Sequence, residues 1–444
     1  MSKKIELGIN ILFKIFLFSL FLFARTFTGV NILGIRLGEI LIGSGLLILF
    51  YFLFLKPAIK NKYIFEDNKF HLILFFVFFI FVVSTFLNSN SFFNPLVYKS
   101  SSYIWSIGYL FFGIYLNKIF SFEIQIYDIF LSIFGMFVIY LFSTRGISEN
   151  LQNSILSFTD KFEYPKGSDL LLVFVFVMVF VLNKLKYSKL SFNLFFFVFS
   201  FYAPLLMVKS RSAFIASVLF MILLIPYFRK NFKILDFKII YTILISIIIF
   251  VLSTSWVVSR DLVVDDEISD ELKFAITNRY RTINDNVYEE EYLKLNLFYF
   301  KDGRLFTTDG NLNWRFQIWQ DIFLDMLNLD LFLFGYGYED LIPAMDNDQR
   351  LGQDQTNVNV HNYFVHIFSR GGILSLTFIC LFYFYLYKKF KHKNLQLDYL
   401  QIFIPLIFNS MFDPCMENAH YPIVFYLLLG LTFNKYIIFK EENI

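Results

Sequence analysis

Three side chains with the chemistry to act on a phosphorylated or hydroxyl-bearing substrate lie far apart in this sequence: Arg211, Arg315 and His361. An imidazole titrates near neutral pH and can take a proton from a hydroxyl. His361 could equally hold a substrate by hydrogen bonding, or serve only the start of a helix. Asn362 beside it offers an amide to the same substrate. Arg211 stands in Lys209-Ser210-Arg211-Ser212, at the start of an apolar helix expected over 212–228. A cation is misplaced at the positive end of a helix dipole. A bound anion corrects this, because helix N-terminal amides and a guanidinium both hold phosphate oxygens, and Lys209 adds a second cation. The alternative is an arginine that snorkels to the membrane interface. Arg315 opens an amphipathic segment one turn before Trp319; it could reach a lipid diphosphate or be a plain surface arginine.

Other polar groups nearby read as structural. His366 points to a different helix face from His361, and Arg370 falls on the far side of the same helix. Gly371 and Gly372 permit close helix packing. Asp413, Glu417 and His420 crowd one short connection, where a wetted turn is the simpler reading than a site. Cys380 and Cys415 sit in or near apolar segments as inert thiols. No His, Cys, Asp or Glu cluster has metal-ligand spacing, so neither a metal nor a cofactor is expected.

The elements that must position these groups are membrane helices. The 444-residue chain is 57% hydrophobic and 21% aromatic, with 64 Phe, well above the apolar content of a soluble domain. The net charge of +3 carries no basic stripe of the kind nucleic acid needs. Apolar runs fall at 8–26, 37–55, 70–88, 98–117, 124–142, 168–183, 190–208, 212–228, 236–256, 361–387, 398–412 and 420–438. Lys3 and Lys4 precede the first run, but Lys14 interrupts it and no small-residue cleavage site follows, so a retained first span is expected. Basic residues recur in alternate connections: Lys56, Lys60, Lys62 and Lys69; Lys118; Lys184, Lys186 and Lys189; Arg229, Lys230, Lys233 and Lys238; Lys388 to Lys393; Lys435 and Lys440. By the positive-inside rule both termini are cytosolic.

That orientation puts Arg211, Arg315 and His361 on the outer face. It divides the chain into nine spans over 1–256, a large outer loop over 257–360, and three spans over 361–444. The loop holds 20 acidic and 9 basic residues, a solvated charged surface. Within it, 313–327 reads as an amphipathic helix with Ile318, Trp319, Ile322, Phe323, Met326 and Leu327 on one face. It is expected to lie at the membrane interface, followed by a tight turn at Gly335-Tyr336-Gly337-Tyr338. A single helix from His361 to Tyr387 would be about 39 Å long, so its first turns should stand above a hydrocarbon core about 30 Å thick. The expected fold is an all-α integral membrane protein of about 12 transmembrane helices, with one large outer loop containing short amphipathic helices.

Three pieces of the chain resemble the O-antigen polymerase and O-antigen ligase family of bacterial membrane glycosyltransferases. Ser210-Arg211-Ser212-Ala213 resembles its Ser-Arg pair opening a helix. Trp314-Arg315 through Trp319 to Gly335-Tyr336-Gly337 resembles its Arg…Trp…Gly-x-Gly block. His361-Asn362, nine residues, then Gly372 resembles its histidine motif. The resemblance covers most of the chain from about residue 170. It implies a donor glycan on undecaprenyl diphosphate at the periplasmic face of the inner membrane. Residues Arg211 and Arg315 would neutralise the diphosphate, His361 would activate or orient the acceptor hydroxyl, and no metal is implied. The ligase form of the histidine motif has Gly, Thr or Tyr where this chain has Ser375, which slightly favours a polymerase, or a divergent member, over the lipopolysaccharide ligase. The acceptor would then be a second lipid-linked repeat, with a chain-length regulator as a further candidate partner; a ligase would use lipid A-core and a protein O-oligosaccharyltransferase a protein. From another class, a lipid-linked oligosaccharide flippase also fits twelve spans, but it should show related halves or helices broken at the membrane midplane.

Overall fold

The computed structural model describes residues 3–51, 68–88, 94–120, 125–159, 164–185, 188–231, 237–265, 298–301, 303–307, 309–346, 350 and 358–433. The expected span ends at 52–55 and 434–438 lie outside these residues. So do Lys56, Lys60, Lys62, Lys186, Lys233, Lys435 and Lys440, and the most acidic part of the outer loop, 266–297.

Every expected span overlaps a helix. Among the described residues, seven helices are long and apolar enough to cross a membrane, including Ile126–Arg145, Leu190–Lys209, Arg211–Phe228, Ile240–Ser259 and Tyr363–His392. Leu37–Phe50, Ser102–Leu116, Gly167–Leu182 and His420–Phe433 are shorter and apolar. The protein is an all-α membrane protein. The expected span over 98–117 is interrupted: Pro95–Ser100, Ser102–Trp105 and Gly108–Phe120 follow one another as separate helices. Serines stand at both interruptions, Ser101 and Ser106. Ser102 donates to the carbonyl of Met416 at 2.8 Å, and the Trp105 indole donates to Ser101.

The chain forms two compact units. The first comprises Met1–His71, Tyr98–Arg260 and Tyr383–Ile444. At its centre, all residues of His420–Phe433 are buried. This helix crosses Gly108–Phe120 backbone to backbone: a Cβ on Gly430 would lie 2.2 Å from the Leu110 carbonyl, and one on Gly113 2.6 Å from that of Leu427. Such close approach is how helices gain dispersion energy in a medium as apolar as their own side chains. By contrast, Ile247, Ile248, Val251 and Leu252 are exposed on Phe237–Asp265, a surface suited to lipid.

The second unit comprises Leu72–Val97 and Asp261–Phe382. It carries a two-stranded hairpin, Phe298–Lys301 against Arg304–Thr307, and one helix of 19 residues, Gly310–Asn328. Asp309 caps this helix by accepting from the Leu312 amide at 2.9 Å. Its expected apolar face is split. Ile318, Ile322 and Met326 are fully buried in a small core with Ile342, Met345 and Val360, whereas Phe323 and Leu327 are half exposed. A stripe at i, i+4, i+8 satisfies the core, leaving the flank for another apolar phase. Asp321 on the same helix binds Arg304 at 2.7 Å and also pairs with Arg350.

Candidate functional site

The helix bearing the histidine motif is not one rod. Tyr363–His392 breaks at Gly372, whose φ of 67° and ψ of −171° lie in a region open essentially to glycine. A break inside an apolar helix orphans backbone groups, which must find other partners. Here the stretch 331–337 supplies them. The Ile373 amide donates to the Phe332 carbonyl at 2.8 Å. The Ser369 and Arg370 carbonyls accept from the amides of Tyr336 at 2.7 Å and Gly337 at 3.0 Å. Ser84 adds a hydroxyl, donating to the Arg370 carbonyl at 2.8 Å and to that of Phe334. The glycine turn at 335–337 and the glycine pair at 371–372 are thus two halves of one joint. Arg370, buried, completes it by donating to the carbonyls of Gly337 and Asp340.

His361 precedes the helix rather than occupying its first turn. Its φ is +54°, the left-handed region that asparagine, aspartate and histidine enter more readily than other side chains. Asn362, expected to bind substrate, is the helix cap: its Oδ1 accepts from the amides of Phe364 at 3.0 Å and Val365 at 3.2 Å. Two tryptophans of Gly310–Asn328 then hold 360–361 from the side. The Trp319 indole donates to the Val360 carbonyl at 2.8 Å. The Trp314 ring meets the His361 imidazole edge to face, with centroids 5.3 Å apart. Arg315, half-buried, follows Trp314 directly on this helix. The structure therefore brings Arg315's segment and His361 into one neighbourhood, through two tryptophans whose part the sequence did not reveal.

Arg211 and Lys209 belong to the first unit. Lys189–Lys209 ends at Ser210, whose extended backbone (φ −163°, ψ 118°) turns the chain into Arg211–Asn231. The Ser210 hydroxyl accepts from the Ala213 amide at 3.4 Å, so Arg211 is the first residue of its helix, as expected. Its side chain is exposed, as is that of Lys209. The turn sits directly on Gly167, where a Cβ would fall 2.2 Å from that of Ser210.

The last connection is not a wetted turn. His420 is fully buried and its Nε2 lies 2.7 Å from Asp169 Oδ1. Arg25 approaches the other oxygen of the same carboxylate at 3.7 Å, and the Lys166 amide donates to it at 3.1 Å. Burial pushes the Asp413 carboxyl above its usual range, against the opposing pull of Arg25. This ionic knot ties the ends of Lys3–Thr28, Gly167–Lys184 and His420–Phe433. Asp169→Ala would leave Arg25 and His420 without their shared acceptor. The expected cost is on the order of 3–5 kcal/mol, read as loss of monodisperse protein on size exclusion, with Asp169→Asn less damaging.

Among the described residues, no group of three or more His, Cys, Asp or Glu is placed to hold a metal ion. What the site offers is an imidazole on a rigid mount, with a guanidinium one residue from the tryptophan that contacts it. That equipment suits transfer to a hydroxyl with departure of an anion. Residues 195–380 match the family model described as O-antigen ligase. Together with the fold, this match supports the O-antigen ligase and polymerase family for the chain. The matched stretch includes Arg211, Arg315 and His361. A comparison with curated proteins finds no match.

Proposed function

We propose that the protein is a glycosyltransferase of the bacterial inner membrane, with both termini cytoplasmic, that polymerises undecaprenyl-diphosphate-linked oligosaccharide repeats at the periplasmic face. The acceptor hydroxyl attacks the anomeric carbon of the donor sugar. The bond from that carbon to the diphosphate oxygen breaks, and undecaprenyl diphosphate departs. His361 takes or orients the hydroxyl proton. Arg315 and Arg211, with Lys209, stabilise charge on the leaving group, work that fixed guanidinium groups perform without a metal. Asn362 acts through its cap, which fixes the backbone that carries His361.

The observation that carries this reading is the mounting of His361. A left-handed histidine backbone, an adjacent cap and two tryptophans form a pre-set arrangement, of the kind that lowers the reorganisation a reaction requires. An enzyme is preferred to a flippase because the candidate groups are expected at the outer face, where one connection, 257–360, is far larger than the rest.

Ligation to lipid A-core is the second reading, favoured by the description of the matching family. Ser375, the residue that argues for a polymerase, is buried, with its Cβ 2.4 Å from where a Gly371 Cβ would be. Its identity therefore reports packing at the break more than acceptor choice. Purified protein in lipid, given its lipid-linked repeat with and without lipid A-core, separates the readings. A ladder of products without lipid A-core supports polymerisation. Transfer only when lipid A-core is present supports ligation, and none in either case overturns both.

A further inference from the structure

The turn that begins with Ser210 is held by more than its own cap. The Ser212 hydroxyl donates to Asn409 Oδ1 at 3.1 Å, across 197 residues of sequence. Having spent its proton there, Ser212 accepts from Ser210 Oγ at 2.9 Å, and Ser210 in turn accepts from the Ala213 amide. The three hydroxyl and amide protons thus run in one direction, ending on Asn409. That residue is fully buried, in the last turn of Gln396–Ser410. Its amide nitrogen lies 4.0 Å from Cys415 Sγ. From the opposite side, Gly167 lets the chain press onto Ser210, and the Asp169–His420 pair anchors that helix start. Arg211 stands between Ser210 and Ser212. Its backbone is set by a buried amide, although its guanidinium is exposed.

We propose that Asn409 is a positioning residue for Arg211: through Ser212 it fixes the helix start from which the guanidinium meets a lipid diphosphate. This rests on the reading of Arg211 given above. A neutral amide is suited to the task. It accepts the Ser212 proton without placing a second negative charge beside an anion site, as a carboxylate would.

The test is binding of undecaprenyl diphosphate to the purified full chain in lipid nanodiscs. Loss of one neutral hydrogen bond is expected to weaken binding about fivefold to tenfold in Asn409→Ala and in Ser212→Ala. Ser212→Thr, which keeps the hydroxyl, should bind within about twofold of the parent. Asn409→Asp should bind more weakly than Asn409→Ala despite its similar shape. Adding Asn409→Ala to Arg211→Ala should produce no further loss, because the contact acts only through that arginine. Ser212→Ala carries the same test should Asn409→Ala not accumulate. If Arg211→Ala weakens binding while Asn409→Ala and Ser212→Ala do not, or if the losses add, the positioning role is overturned and the reading of Arg211 stands. If Arg211→Ala binds as the parent does, the reading of Arg211 falls.

Discussion

Gly372→Ala is expected to leave little correctly folded protein in the membrane. The backbone there has φ of 67° and ψ of −171°, and forcing an L side chain into that region costs about 1–3 kcal/mol. Space is denied as well. The new Cβ would lie 2.1 Å from the Leu333 carbonyl oxygen and 2.5 Å from the Phe334 amide nitrogen. Those are backbone atoms, so relief requires moving the 331–337 stretch, and with it the bonds from Ile373, Tyr336 and Gly337 that satisfy the break. Overpacking adds a further 1–3 kcal/mol or so. The total, on the order of 4 kcal/mol, is a large share of the 5–15 kcal/mol that keeps a typical domain folded. Yield of monodisperse protein and its thermal midpoint in detergent would show it. A variant that accumulates and melts like the parent would contradict the joint described for Gly335–Gly337 and Gly371–Gly372.

His361→Asn is expected to abolish transfer while leaving the fold intact. Asparagine enters the left-handed region more readily than other non-glycine residues, so this substitution avoids the strain that alanine would bring at φ +54°. It keeps a hydrogen-bonding side chain but cannot take a proton near neutral pH. General-base catalysis is commonly worth about 10²–10⁴-fold, and the rate should fall by that order with unchanged size-exclusion behaviour. A loss of only a few-fold would mean that His361 orients the acceptor and does not deprotonate it.

How much of this was legible in the sequence varies by element. Composition and the alternating basic clusters located the membrane helices, because the bilayer imposes length and apolarity on each segment independently of its neighbours. The start of Arg211–Asn231 was also legible, since a serine followed by an arginine at the head of an apolar run is a local signal. The break at Gly372 was not. Gly371-Gly372 reads equally well as a packing surface, and only the distant stretch 331–337 makes a break tolerable. The apolar face assigned to 313–327 was correct in period, but the sequence could not show that half of it packs on Ile342, Met345 and Val360. Asp413 and His420 looked like a wet turn because their charges lie close to a helix end. His420 is instead buried against Asp169, 251 residues away, with Arg25 beside the same carboxylate. Asn362 proved to be a helix cap for the same reason: a cap is made by geometry that residue type alone leaves open.

The most direct test of the central claim is single-turnover transfer from a labelled undecaprenyl-diphosphate repeat to an acceptor repeat, comparing the parent protein with His361→Asn and Arg315→Ala. The parent should give product, with a loss of about 10²-fold or more for His361→Asn and a clear loss for Arg315→Ala, all three proteins being equally folded. Transfer by His361→Asn at the parent rate would contradict that claim.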